Sequence, residues 1–157
     1  MMLSAVVDAN VVIGLSKGNV FSLLPKLFQP LYVAKSVEYE VIELGRGRPG
    51  SMELQQALAD GWIVSAFALG NTLPTDREAV EVAKKYRVDY ILTGDLEVAK
   101  MAEEEGLGHL STLDIVALLK LAGHIPSAAS VLEVMADGGF GMSADHRQAI
   151  LRITGEE

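Results

Sequence analysis

Apolar residues in this chain occur in two patterns, and each pattern predicts a different kind of element. Short runs rich in Val, Ile and Leu are typical of strands that are buried on both faces of a sheet. The first run ends abruptly at Asp8, and the last is the weakest of the set. The predicted strands cover residues 3–7, 31–33, 62–67, 89–93 and 109–111.

Between these runs, apolar residues recur at every third or fourth position, which is the spacing that predicts amphipathic helices. Ser36, Ser51 and Ser143 stand where helix N-caps are expected, and Thr75 with Glu78 forms a capping box. The predicted helices cover residues 20–27, 36–44, 52–60, 76–87, 96–105, 113–122, 127–136 and 144–153.

Strands that alternate with helices predict right-handed βαβ units, and therefore a three-layer α/β/α fold around a central, mostly parallel five-stranded sheet. With 157 residues, the chain is long enough to bury the core of one domain. In sheets of this kind a ligand binds beyond the carboxyl ends of the strands. Side chains at those ends are therefore the first candidates for chemistry.

Four carboxylates occupy positions where an acid needs an explanation. Asp8 and Asp95 come directly after predicted strands, whereas Glu40 and Asp76 lie within the apolar stripes of two predicted helices. A carboxylate in an apolar stripe costs free energy unless it is paired, hydrogen-bonded or bound to a metal. The other members of the two stripes are Val37, Val41 and Leu44, then Ala79, Val80 and Ala83. Two further acids of the first helix are predicted to point outward, namely Glu38 and Glu43.

Each of these acids also has a purely structural interpretation. Asp76 suits the dipole of a first helical turn, and Asp95 suits a helix N-cap. Glu40 can reach solvent from the edge of its stripe. Asp8 is the less convincing cap, because no clear amphipathic helix follows it.

Carboxylates gathered at one edge of a sheet are suited to hold hard divalent cations such as Mg²⁺ and Mn²⁺. One or two such ions activate a water molecule as nucleophile and stabilise the leaving oxygen of a phosphodiester. Asn10 is placed to orient a ligand or a water molecule, although it suits a turn equally well. Thr93 lies close to Asp95, where a hydroxyl supports a ligand or simply belongs to the strand.

The amino-acid composition excludes several kinds of functional site. The absence of cysteine excludes disulfides and a thiol nucleophile, and the three histidines share no zinc-ligand spacing. With 13 Lys and Arg against 21 Asp and Glu, the net charge is −8, which by itself argues against a nucleic-acid substrate. The apolar N-terminus lacks a basic region and contains Asp8. We therefore expect a cytoplasmic protein with neither a signal peptide nor a membrane span.

Four motifs nevertheless resemble those of PIN-domain ribonucleases, the fold of the VapC toxins of toxin–antitoxin pairs. They read VVDAN around Asp8, VEYEV around Glu40, DREA from Asp76 and LTGD up to Asp95. Longer stretches resemble the PIN-like DUF3368 family, so the resemblance covers nearly the whole chain. These stretches are DREAVEVAKKYRVDYILTGD, LSTLDIVALLKLAGHIPSAASVLEVM and GFGMSADHRQAIL.

The resemblance implies cleavage of RNA that depends on one or two Mg²⁺ or Mn²⁺ ions, with Asn10 in a supporting position. It also implies that four acids form the catalytic and metal-binding set, namely Asp8, Glu40, Asp76 and Asp95. The chain departs from the narrower family at Thr75-Asp76, where that family has Gly-Glu. This change shortens a ligand and keeps its charge.

The resemblance further implies a PIN-like nuclease domain at residues 1–125, with a C-terminal helical extension at residues 126–157 packed on the same domain. A homodimer and an antitoxin protein are the implied protein partners. The apolar predicted helices 113–122 and 127–136 are able to supply a dimer interface.

Few cations are placed to bind phosphates. Arg46 and Arg48 lie in the GRGRPG loop after the Glu40 helix, and Lys84, Lys85 and Arg87 form the basic end of the Asp76 helix. Both groups suit phosphate contacts, and both also suit a solvated loop and a helix C-terminus. With four of the 21 acids in one metal site, the charge predicts weak, salt-sensitive affinity for bulk nucleic acid and leaves room for a basic protein partner.

Two other function classes stay open. A phosphotransfer domain of the haloacid-dehalogenase or receiver kind also places Asp at strand ends, but the former needs Asp-x-Asp where this chain has Asp8-Ala9-Asn10. A non-catalytic interaction module that keeps the fold and a weakened metal site is the second alternative. Metal-dependent RNA cleavage separates the leading hypothesis from both.

Overall fold

A parallel sheet forms the centre of the protein. The computed structural model describes residues 2–68 and 75–157, without the side chains of residues 75 and 76. Within those ranges five parallel strands lie in the order β3-β2-β1-β4-β5. The predicted α/β fold with a five-stranded sheet is therefore confirmed. The strands are β1 (Leu3–Val7), β2 (Phe28–Ala34), β3 (Val64–Ala66), β4 (Tyr90–Leu92) and β5 (Gly108–Leu110).

Helices connect the strands and close the chain. One connection includes a 3₁₀ helix at Phe21–Lys26, and α2 (Lys35–Glu38) continues directly as a π-helical segment, Tyr39–Leu44. The helix α4 packs against β1, β2 and β4, whereas α1 packs against α6 and α7. The remaining helices are α1 (Ala9–Lys17), α3 (Ser51–Asp60), α4 (Thr75–Lys85), α5 (Leu96–Glu104), α6 (Thr112–Leu121), α7 (Ala128–Asp137) and α8 (Ala144–Thr154).

The register of the central strands determines where the first strand-end acid lies. Val7, the last residue of β1, is opposite Val33 of β2 and Leu92 of β4. The backbone amide of Asp8 then donates to the Leu92 carbonyl at 2.9 Å, so the ladder extends one residue past each strand. Asp8 and Thr93 consequently leave the sheet side by side.

The helix α1 is absent from the sequence prediction. Its Val11, Val12 and Leu15 are fully buried, and Gly14 and Ser16 are buried as well. A helix that is covered on most sides has no polar face, so its sequence lacks the amphipathic period by which surface helices are recognised. The run after Asp8 is therefore a helix, and Asp8 does occupy its N-cap position.

Several predicted helix starts are wrong. The first predicted helix, residues 20–27, is the short 3₁₀ helix with Pro25 inside it. The structure begins α2 at Lys35 and α3 at Ser51 itself, so neither Ser36 nor Ser51 is an N-cap. Ser143 does cap α8, because its hydroxyl accepts from the His146 amide at 3.1 Å. The predicted Thr75 capping box depends on the Thr75 side chain, which lies outside the described part of the structure.

The π-helical segment changes which residues of the second predicted helix are buried. Val37 and Val41 are buried as the stripe predicts, but Leu44 is 66% exposed and Glu40 is exposed. A π-helical turn is wider than an α-helical turn, so the positions after it rotate away from the α-helical stripe. The prediction of Glu40 as a buried stripe residue is therefore wrong.

The C-terminal helices belong to the same core as the strands. Ala128, Leu132 and Met135 of α7 and Ile150 of α8 are buried within it. The contact with α1 is close, since a Cβ placed on Gly18 would lie 2.8 Å from the Met135 side chain. Among the described helices, none has both the length and the apolar character needed to cross a membrane.

Candidate active site

Asp8 is at the centre of the candidate site, at the carboxyl end of the middle strand. Its carboxylate is half-buried, and its Oδ2 accepts a hydrogen bond from the Thr93 hydroxyl at 2.8 Å. The same hydroxyl oxygen accepts from the Asp95 backbone amide at 3.1 Å. Thr93 is only 3% exposed, so it is a rigid link between the two strand ends.

Asp95 is the N-cap of α5, as its structural interpretation predicts. Its Oδ1 accepts from the backbone amides of Glu97 at 2.8 Å and Val98 at 3.4 Å. The side chain is exposed at the same edge as Asp8. The cap holds this carboxylate in one orientation, and its negative charge acts on Asp8.

Asn10 connects the start of α1 to the loop before α5. Its Oδ1 accepts from the Gly94 backbone amide at 3.3 Å. A Cβ on Gly94 would collide with the Asn10 side-chain amide. Gly94 is thus required by close approach, and the LTGD motif carries the signal for it although the sequence analysis assigns it no role.

Burial raises the pKa of the Asp8 carboxyl above its ordinary value. The Thr93 hydroxyl and the Ala9 backbone amide act in the opposite direction, and the negative charges of Asp95 and Glu40 raise the pKa further. Asp95 and Glu40 are therefore each close enough to repel the charge of Asp8. A bound cation relieves both the burial of this charge and the repulsion.

Glu40 lies in the segment that follows β2, whereas Asp95 follows β4, and β1 with Asp8 at its end lies between those two strands. Glu40 lines a cleft of about 420 Å³ together with Lys17 and Arg48. This places Arg48, a predicted substrate residue, beside a predicted metal ligand. We name this the basic cleft.

Two other cations predicted to contact phosphates, and one acid predicted to point outward, each have a partner within the protein. Arg46 is paired with Glu43 at 2.8 Å on the surface. Lys84 lies 3.5 Å from Glu105 and 3.7 Å from Glu81. Glu38 is half-buried and accepts from the Ser65 hydroxyl at 2.5 Å, so the prediction that it points outward is wrong.

Asp76 lies in the first turn of α4, and its side chain is outside the described residues. In the part of the chain that is described, no three Asp, Glu, His or Cys side chains lie close enough together to hold one metal ion. The donor chemistry nevertheless fits a hard divalent cation, because the charges of the Asp95 and Glu40 carboxylates act on the Asp8 carboxylate, and carboxylate oxygens are the ligands that such cations prefer. Mg²⁺ typically binds through one or two carboxylates and keeps several waters.

A second cleft, of about 460 Å³, opens from the same edge. It extends from Asn10 and Asp95 to the start of α6 and to the segment between α7 and α8. We name it the C-terminal cleft. No local pattern in the sequence predicts this cleft, because its walls come from parts of the chain that are far apart in sequence.

No curated protein matches the chain. One similar solved structure is that of SSO1118, a PilT N-terminus domain protein from the hyperthermophilic archaeon Sulfolobus solfataricus P2. It is 16% identical with a TM-score of 0.48, over 90% of this chain and 98% of that chain. The family model described as DUF3368, a PIN domain, matches residues 4–156. The match extends over nearly the whole chain and confirms the resemblance of the motifs, so the chain belongs to the DUF3368 family of PIN domains.

Proposed function

We propose that this protein is a metal-dependent endoribonuclease whose active site is centred on Asp8. The observation that supports this most is the pKa of the Asp8 carboxyl, which burial and the charges of Asp95 and Glu40 raise. Holding like charges together costs free energy in a protein without a ligand. Such an arrangement is expected where a divalent cation completes the site.

Asp8 and Asp95 are the proposed metal ligands among the described residues, with Glu40 and Asp76 as the further members of the acidic set. A bound Mg²⁺ or Mn²⁺ supplies an activated water and stabilises the leaving oxygen of the phosphodiester. Thr93 holds the Asp8 carboxylate in place through its hydroxyl. Asn10 holds the loop at Gly94, which sets the position of Asp95.

The experiment is an RNA cleavage assay with structured and single-stranded substrates in Mg²⁺, Mn²⁺ or EDTA. We expect cleavage with either metal, none with EDTA, and a reduction to the EDTA level in Asp8→Asn. Asp60→Asn is the matched control, because Asp60 is an exposed acid at the end of α3 that accepts from Gln56 at 2.9 Å. Cleavage that persists in Asp8→Asn would overturn the proposal.

A non-catalytic module with a weakened metal site is the second candidate. It is favoured by the finding that the described acids form no group of three around one point. Calorimetric titration with Mn²⁺ separates the candidates: the nuclease binds Mn²⁺ and loses that binding in Asp8→Asn, whereas an inert module shows no heat of binding in either protein.

The biological role proposed for the nuclease is that of the toxin in a type II toxin–antitoxin pair, working as a homodimer. Most apolar residues of α6 are buried in the protein's own core, so Leu121 and Leu118 are the exposed ones on that helix. Light scattering of the purified protein tests the dimer. Arrest of growth on expression, relieved by Asp8→Asn, tests the toxin.

A further inference from the structure

The C-terminal cleft begins at the candidate active site and continues away from it. Asn10 and Asp95 line its near end, and Thr112 and Phe140 line its interior. Its volume of about 460 Å³ is within the range of small-molecule sites, roughly 300–1,000 Å³. A group that is attached to a phosphate at the carboxylates can therefore enter this cleft.

The charges around the cleft argue against a phosphate inside it. No Lys or Arg is among its described lining residues, which include Asp95 and Asp114. His109 and His146 line it as well, and they lie 2.9 Å from Glu103 and 3.7 Å from Asp114. Lys17 and Arg48 instead line the basic cleft at Glu40. The C-terminal cleft is thus suited to an uncharged part of a substrate whose phosphates lie elsewhere.

Apolar side chains form part of the lining next to Asp95. Leu96 is 85% exposed at the mouth, and Phe140 and Met142 are half-buried farther along. The Phe140 ring is held against α1, since a Cβ on Gly14 would lie 2.6 Å from its Cε1. A flat apolar group that enters the cleft here contacts the Leu96 side chain and the Phe140 ring, whose position is restricted.

Polar side chains that a ligand can reach also line the cleft. Asp114 and His146 are among them, with side chains that are 40% and 42% exposed. A ligand with a hydrogen-bonding edge is therefore able to contact them.

We propose that the C-terminal cleft binds one nucleobase of a single-stranded RNA substrate, beside the phosphate that lies at the carboxylates. Leu96 packs on the face of the base, and the side chains of Asp114 and His146 are available to its edge. Nucleobases combine a flat apolar face with a polar edge and carry no charge, which matches the lining. This inference rests on the proposed nuclease function, and it makes the segment between α7 and α8 part of substrate recognition.

The test measures binding rather than cleavage. Fluorescence anisotropy of labelled RNA hexanucleotides is measured with the unsubstituted protein in Ca²⁺, which also takes oxygen ligands, for each of the four bases and for an abasic hexamer. We expect a preference among the bases and about tenfold weaker binding of the preferred hexamer in Leu96→Ser, because the apolar surface that leucine buries against a base contributes about that much. Binding of the abasic hexamer stays unchanged.

Ile153→Ser is the matched control, since Ile153 is 58% exposed on α8 and does not line the cleft. We expect it to leave every affinity unchanged. If Leu96→Ser binds the preferred hexamer as tightly as its parent, or if abasic and intact hexamers bind equally, the proposal is wrong. Failure of every hexamer to bind also overturns it.

Failure of this inference is distinguishable from failure of the proposed function. Metal-dependent cleavage that Asp8→Asn abolishes, without any base-dependent binding, refutes the cleft as a base site and leaves the nuclease in place. Base-dependent binding that Leu96→Ser weakens, without cleavage in any metal, supports the cleft and refutes the nuclease.

Discussion

Asp8 shows how one residue is controlled by its neighbours across the sheet. The Thr93 hydroxyl donates to it from the adjacent strand end, and that oxygen also accepts from the Asp95 amide. One threonine therefore links two proposed metal ligands. The carboxylate is oriented before any ligand arrives, and its charge is held in an environment that disfavours it.

We expect Asp8→Asn to raise the unfolding temperature at neutral pH in EDTA by a few degrees. The folded-state pKa of Asp8 is raised by burial, so its contribution to stability is complete below the unfolded-state pKa and is lost as pH rises through the folded-state pKa. The increase in unfolding temperature caused by Asp8→Asn therefore becomes smaller toward acid pH. It also becomes smaller when Mg²⁺ is added. Thermal melts of both proteins from pH 3 to 8 measure this difference in unfolding temperature. A difference that does not depend on pH contradicts the prediction.

Thr93→Val should weaken Mn²⁺ binding by about 10- to 100-fold, because partners that orient a metal ligand typically contribute that much. Thr93→Ser keeps the hydroxyl and should bind Mn²⁺ nearly as the parent does. Calorimetry with both variants measures the effect. Loss of Mn²⁺ binding in Thr93→Ser but not in Thr93→Val would show that the methyl group, rather than the hydrogen bond to Asp8, is what the site requires.

At the scale of elements, two segments are held in place by contacts that their own sequences do not specify. The wide turn at Tyr39–Leu44 carries Glu40 into solvent at the basic cleft. The start of α7 is satisfied by the far end of the chain, because Glu156 accepts from the Ser127 hydroxyl and from the amides of Ala128 and Ala129. The C-terminal segment is thus fastened at its last residues.

Glu156→Gln should lower stability at neutral pH and have little effect in acid. The hydrogen bond from Ser127 lowers the pKa of the Glu156 carboxyl, so its contribution is present above the unfolded-state pKa and is lost as pH falls through the folded-state pKa. Thermal melts and hydrogen exchange of the first turn of α7 measure the loss. Glu157→Gln is the control, because Glu157 accepts only from exposed Arg152 among the described contacts. Equal effects of the two variants contradict the proposed cap.

At the scale of the whole molecule, the charge of −8 is distributed unevenly. Asp8, Asp95 and Glu40 concentrate negative charge at one edge, and Lys17 and Arg48 lie next to it in the basic cleft. A nucleic acid that binds at this edge therefore contacts few cationic side chains. Its affinity depends on Lys17, Arg48 and bound metal.

Arg48→Gln should reduce the slope of log affinity against log salt by about 0.7, the value for one phosphate contact on a single strand. Arg46→Gln should leave the slope nearly unchanged, because Arg46 is paired with Glu43 at 2.8 Å. Anisotropy titrations of Asp8→Asn protein between low and moderate salt measure both. Equal slopes for Arg48→Gln and its parent would place the phosphates elsewhere.

The alternation of strands and helices could be predicted from sequence because it is local: burial on two faces requires short apolar runs, and amphipathic helices require the 3.6-residue period. The positions of Asp8 and Asp95 at strand ends followed from the same pattern. The helix α1 could not be recognised, since a buried helix has no polar face. The exposure of Glu40 could not be predicted either, because no local signal marks the wide turn.

The sequence by itself therefore determined the order of the elements, the strand ends that carry the acids and the membership of the PIN-domain family. Tertiary structure decided which residues of different elements are in contact. It placed Thr93 against Asp8 through strand register, which depends on pairing between residues 85 positions apart. It also joined Asn10, Leu96, Thr112 and Phe140 around one cleft. Contacts between distant residues have no periodic trace along the chain, so only the folded protein contains them.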